Sequence, residues 1–102
     1  MARPYSAKFL NELHTADNTL GVELGRVCYA ANIPASYVAA ALETSRITVY
    51  GWFRGREMRQ KNRKVVQAFM DLVEIDTKEG RLPAKNIKDA KAYIEEMVGR
   101  KI

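Results

Sequence analysis

Apolar side chains recur along this chain at spacings of three and four, and no stretch keeps for long the period of two that a half-buried strand needs. Leu20, Leu24, Val27, Cys28 and Ala31 form one such series, which predicts an amphipathic helix of about three turns ended by Asn32. Pro34 blocks simple continuation and suits the first turn of a new helix over 35–42, with Val38, Ala39 and Leu42 on one side. Glu43-Thr44-Ser45 makes the next break, and Ser45 is a good N-cap for a helix over 46–53. Gly55 is placed to stop that helix in a left-handed conformation. A longer helix is predicted over 61–75 from Val65, Val66, Phe69, Leu72 and Val73, followed by a turn-rich connection over 76–83. Asn86 caps a last helix striped by Ile87, Ala90, Ile94 and Met97 or Val98. Upstream, 6–14 predicts a short helix capped by Ser6, with Phe9, Leu10 and Leu13 on one face, and 15–19 is rich in cap formers. The expected fold is all-α: a compact bundle of about six helices in one domain covering 1–102. Its 47% hydrophobic content with only three prolines is that of a globular chain.

The same composition narrows the chemistry. Cys28 is the sole cysteine and His14 the sole histidine, so neither an intramolecular disulfide nor a zinc site is expected, and Cys28 reads as a small buried apolar residue. There is no glycine-rich phosphate loop, His14 has no evident nucleophile partner, and the acids are spread along helix surfaces. No enzyme activity, metal, cofactor or small-molecule ligand is expected. No apolar run approaches the roughly 20 residues that span a bilayer. The start of the chain, Met1 to Ser6, lacks the apolar centre of a signal peptide, so the expected location is the cytoplasm.

Charge points to a partner. Residues 46–64 carry seven basic side chains against Glu57 alone, a segment charge of +6 in a chain of net +5, which leaves the remainder at −1. Positive charge gathered in one segment is the footprint of a polyanion. It overlaps the end of 33–55, where two short helices flank the 43–45 break, and runs past it through 55–64. The small residues Ala39, Ala40 and Ala41 let the second helix cross the first closely and steeply, which is helix-turn-helix geometry. In the second helix Val49, Trp52 and Phe53 face inward. Arg46, Ile47, Tyr50 and Gly51 fall on the other side, with Thr48 at the margin. That outer face suits a DNA groove. Arginine donates two hydrogen bonds to guanine O6 and N7, isoleucine touches a thymine methyl, and the Thr48 and Tyr50 hydroxyls reach phosphates or bases. Gly51 allows close backbone approach, at a helix-propensity cost of up to about 1 kcal/mol.

The segment resembles the helix-turn-helix of the phage repressor and Cro family, the lambda-repressor-like fold. The matching features are Ala39 at the fifth position of the first helix, the Thr44-Ser45-Arg46 approach, the Thr48-Val49 pair and the Trp52-Phe53-Arg54-Gly55 exit. The resemblance covers roughly residues 20 to 75. It implies that the first helix of the motif crosses the DNA backbone and the second lies in the major groove. Arg46, Ile47 and Gly51 then occupy base-reading positions beside Tyr50. Ser45, Thr48 and Arg54 lie toward phosphates. Ser36 or Tyr37 stands in for the polar phosphate contact frequent where this chain has Ala35. Arg56, Arg59, Lys61 and Arg63 extend the phosphate contacts past the motif. The family usually has glycine in the turn where this chain has Glu43, and a left-handed backbone there costs roughly 1 kcal/mol for other residues.

The expected function is therefore a sequence-specific regulator of transcription that binds double-stranded DNA, in the host cytoplasm if phage-encoded. The last two helices offer a face for a homodimer, which would pair half-sites about one helical turn apart. The alternatives are a protein-binding adaptor and a non-specific architectural nucleic-acid-binding protein.

Overall fold

A computed structural model describes residues 5–8 and 19–102. Among them are five helices and no strand: α1 (Leu20–Ala31), α2 (Ala35–Ala41), α3 (Arg46–Phe53), α4 (Gln60–Lys78) and α5 (Ile87–Val98). Of the sixth helix expected over 6–14, residues 9–14 lie outside the described residues.

Local capping chemistry sets most boundaries. Thr19 Oγ1 accepts from the Val22 N–H at 3.2 Å to open α1, and Asn32 closes it with φ +61°, its N–H bonded back to Tyr29 O. Pro34 sits in extended conformation as the N-cap of α2. Ser45 Oγ and Asn86 Oδ1 accept from Thr48 N and Asp89 N to open α3 and α5. Gly55 follows α3 at φ +96°.

The turn between α2 and α3 has the left-handed residue expected of it. Glu43 adopts φ +54°, and the Thr44 N–H returns to Ala39 O at 3.0 Å. Because a β-carbon is disfavoured there, Glu43→Gly raises stability by up to about 1 kcal/mol, or about 4–8 °C in Tm for a domain of this size. Thermal unfolding checks this, and an unchanged or lowered Tm would mean that Glu43 meets no strain.

The core gathers where α1 lies against α3 and α4, and α2 against α3 and α5. Its largest fully buried side chains are Phe53, Leu24, Ile33 and Ile94, and Cys28 is fully buried among them. Burial pushes the Cys28 thiol pKa up, which keeps it protonated, as a structural cysteine should be. Tyr5 closes the corner between α1 and α2: its hydroxyl donates to Ile33 O at 2.8 Å, and its ring meets Tyr29 and Phe53 edge-on.

The structure corrects three expectations about the C-terminal half. The long helix does not stop at Ile75 but runs to Lys78, because Asp76 turns inward instead of starting a loop. Its Oδ2 accepts from the Tyr93 hydroxyl at 2.6 Å, and its carbonyl accepts from the Arg81 and Leu82 N–H groups. Val65 and Leu72, expected in the core, are 51% and 40% exposed, while Met70 is buried in their place. Facing Asp76, Phe69 and Met70 inward rotates the other two to the flank of α4. Ile87, expected at the head of the α5 stripe, is 55% exposed, and Tyr93 lies inside. Between these helices, Leu82 and Ala84 are buried, and Ala84 exchanges hydrogen bonds with the end of α1 through Ala31 O and Asn32 Nδ2. No helix of the described residues is long and apolar enough to cross a membrane.

Candidate nucleic-acid interface

α3 is held from below and open at its outer edge. Val49, Trp52 and Phe53 are buried, whereas Ser45 and Arg46 are exposed and Ile47, at 78%, is the most exposed large hydrophobic residue described. The seat beneath it is unusually close. A β-carbon on Gly21 of α1 would lie 2.5 Å from the Trp52 carbonyl oxygen, nearer than real β-carbons come. The backbones of α1 and α3 thus meet at this glycine, which sequence reasoning had not singled out. Tyr50 is half-buried and packs edge-on against Phe53 at 6.0 Å, so its ring is anchored at one side.

At the end of α3 the chain folds back. The Arg56 N–H bonds to Gly51 O at 2.9 Å, and the Arg56 side chain runs over Gly51, with its Cδ 3.3 Å from where a β-carbon would sit. Gly51 is accordingly buried, and the surface above it belongs to Arg56. Met58, 4% exposed, then plugs the segment into the core. This pin leaves Arg56 and Arg59 on the surface at either side of it. A lone methionine in the polar run 55–64 was the available sequence signal for that pin.

Three open grooves surround α3 and gather nearly all of the candidate residues. One holds Ile47, Tyr50, Gly51, Arg54 and Arg56. A second holds Ser36, Tyr37, Arg46 and Tyr50, and Ile87 of α5 also lines it. The third brings Thr48, Arg56, Arg59 and Lys61 beside Thr44, Asn62 and the two acids Glu43 and Glu57. Arg63 is exposed on the first turn of α4 and lines none of them. Ser45 and Thr48 share a hydrogen bond of 2.8 Å between their hydroxyls while Ser45 Oγ also accepts from Thr48 N. Whichever hydroxyl donates to the other, one hydroxyl hydrogen of the pair remains to donate outward.

The electrostatics of this face differ from those of the rest of the molecule. Lys78 pairs with Glu74 at 3.4 Å, and Arg81 pairs with Glu96 at 3.0 Å and approaches Asp76 at 3.8 Å. By contrast Arg46, Arg56, Arg59, Lys61, Arg63 and Lys64 form no ion pair among the described residues. Among the described residues these six cations outnumber the two acids, Glu43 and Glu57, that line the grooves around α3, so the described part of this face carries an excess of positive charge. Among the described residues no three histidine, cysteine or acidic side chains come together in a way that could hold a metal ion.

Compared with known proteins, the chain matches no family model, no curated protein and no solved structure.

Proposed function

We propose that this protein binds double-stranded DNA in a sequence-specific manner through a helix-turn-helix formed by α2 and α3, and that it regulates transcription. The observation that carries the reading is the convergence of exposed arginines and lysines with hydroxyl groups around one short helix. α3 enters the major groove with its first turn leading. Arg46 reads guanine, Ile47 meets a thymine methyl, and Tyr50 contacts a base edge or sugar beside them. Gly51 does not face the DNA groove as its place on α3 suggests; it makes room for the Arg56 side chain laid across it, and Arg56 is the group that meets the duplex. Ser36, Tyr37, Ser45, Thr48, Arg54, Arg59, Lys61 and Arg63 hold phosphates, which sets register and affinity without reading sequence. The left-handed turn at Glu43 is the feature that most supports the likeness to phage repressors and Cro. Catalysis has no part in this reading.

A homodimer is supported by a second observation. Val65, Ala68, Leu72 and Ile75 are all exposed on α4 at spacings of three, four and three, the seam along which helices associate. A pair of copies joined along this seam would present two α3 helices, the arrangement that reads half-sites about one DNA turn apart.

Selection from random duplex DNA, repeated at two salt concentrations, tests the whole reading. Enrichment of a motif at both concentrations is expected, with two half-sites about one turn apart if copies associate on the DNA. Salt-sensitive binding with no enriched motif would replace the regulator by an architectural protein, and no retention of DNA would remove the duplex altogether.

A further inference from the structure

We infer that the duplex-facing surface continues across the start of α5, where Lys88 and Lys91 meet the phosphate backbone on the far side of α3 from Arg59 and Lys61. The inference rests on the duplex-binding reading above and adds a second flank to it. Its starting point is the misplaced Ile87. Sequence periodicity puts this residue in the core, yet it is 55% exposed and shares a groove with Ser36, Tyr37, Arg46 and Tyr50. The start of α5 therefore borders the leading edge of α3, although the two lie some forty residues apart in the chain.

Charge follows the same boundary. Lys88 adjoins Ile87, and Lys91 lies one turn further along the same side of α5. Both are exposed, and neither forms an ion pair among the described residues. Two of the three acids of α5 lie away from this side. Asp89 is about 200° around the helix from Ile87 and lines a different groove with Arg81 and Lys85. Glu96 binds Arg81, and Glu95, one turn beyond Lys91 on the lysine side, accepts from the Ile102 N–H at 3.1 Å. The start of this side of α5, where it continues the α3 surface, is thus cationic beside the apolar Ile87, which matches sugar and phosphate. A helix in the major groove, about 12 Å wide, has one phosphate strand on each side. Arg59 and Lys61 serve one strand, and Lys88 with Lys91 serve the other.

The salt dependence of affinity for one fixed duplex tests this. Each phosphate contact contributes about 0.9 to the slope of log K against log salt. K88Q/K91Q should lower the magnitude of that slope by about 1.8 and weaken binding to all duplexes alike. K61Q/R63Q should do the same from the other flank. K85Q removes a single positive charge from the separate groove shared with Arg81 and Asp89, and should leave the slope as it is. A wild-type slope in K88Q/K91Q with a reduced slope in K61Q/R63Q overturns the second flank while the duplex reading stands. Wild-type slopes in both double variants overturn the duplex reading and the second flank with it. Far-ultraviolet circular dichroism of each variant confirms that the surface changes leave the fold intact.

Discussion

Gly21→Ala lowers the stability of this protein by about 1–3 kcal/mol, although alanine is the better helix former. Propensity alone favours alanine by about 1 kcal/mol in a helix interior, and by less at Gly21, the second residue of α1. The added methyl would sit 2.5 Å from Trp52 O, 2.8 Å from Trp52 C and 2.8 Å from Trp52 Cβ. Two of those atoms are backbone, which cannot swing aside as the tip of a long side chain does. Either α3 shifts outward or α1 bends, and overpacking of this kind costs about 1–3 kcal/mol or more. In a domain of this size that corresponds to a fall of about 4–8 °C in Tm for each kcal/mol. Urea and thermal unfolding read the loss directly. A Tm equal to or above that of the unaltered protein would show that α1 and α3 can part without cost, and would remove Gly21 as the determinant of how α3 is seated. Because α3 is the proposed reading helix, the folded variant should also bind its selected duplex more weakly.

Arg46→Ala abolishes preference at one base pair of the selected site. Arg46 is exposed on the first turn of α3, with Ser45 capping the helix behind it, so its guanidinium projects from the leading end. A bidentate contact to guanine is worth about 1–3 kcal/mol of discrimination, or roughly 5- to 150-fold in affinity. Binding to a duplex altered at that pair should then equal binding to the selected one. Arg46→Lys should not restore the preference, since an ammonium lacks the planar two-donor fork. Stability should hardly change, as Arg46 forms no ion pair among the described residues. Full sequence preference retained in Arg46→Ala would exclude Arg46 as a base reader.

Much of the site was legible because it rests on local chemistry. Ser45 caps α3 through Thr48, three residues on, and Asn86 caps α5 through Asp89 in the same way. The left-handed turns at Asn32, Glu43 and Gly55 each close a helix by bonds spanning only a few residues. The inward side of α3 was legible too, since Val49, Trp52 and Phe53 follow the helical period. Gly51 was readable as an unusual residue, but its setting was not. A window of sequence shows that a glycine interrupts a helix, and it does not show that Arg56 will fold back over it.

The misplaced residues share one cause. Val65, Leu72 and Ile87 each satisfy an apolar period, but a period leaves the rotation of a helix about its axis uncertain by the width of its stripe. For α4 the rotation is settled by Asp76 meeting Tyr93, and for α5 by Tyr93 and Ile94 packing inward; the first is a bond between residues seventeen apart. Tyr5 reaches Ile33 across twenty-eight residues, and Asn32 reaches Ala84 across fifty-two. Such contacts depend on the assembled shape and have no signature in a local pattern.

From sequence alone, then, come the all-α architecture, the ends of α1, α2, α3 and α5, and a basic segment joined to a short helix with an apolar inner side. Those follow from hydrogen bonds within four residues and from the helical period, which the chain carries at every position. Tertiary structure alone decided that α3 rests on Gly21, that Met58 pins the basic segment, and that Ile87 comes out beside Arg46. Each of these is a meeting of surfaces distant in the chain, and only the packing of α1, α3 and α5 into one core brings them together.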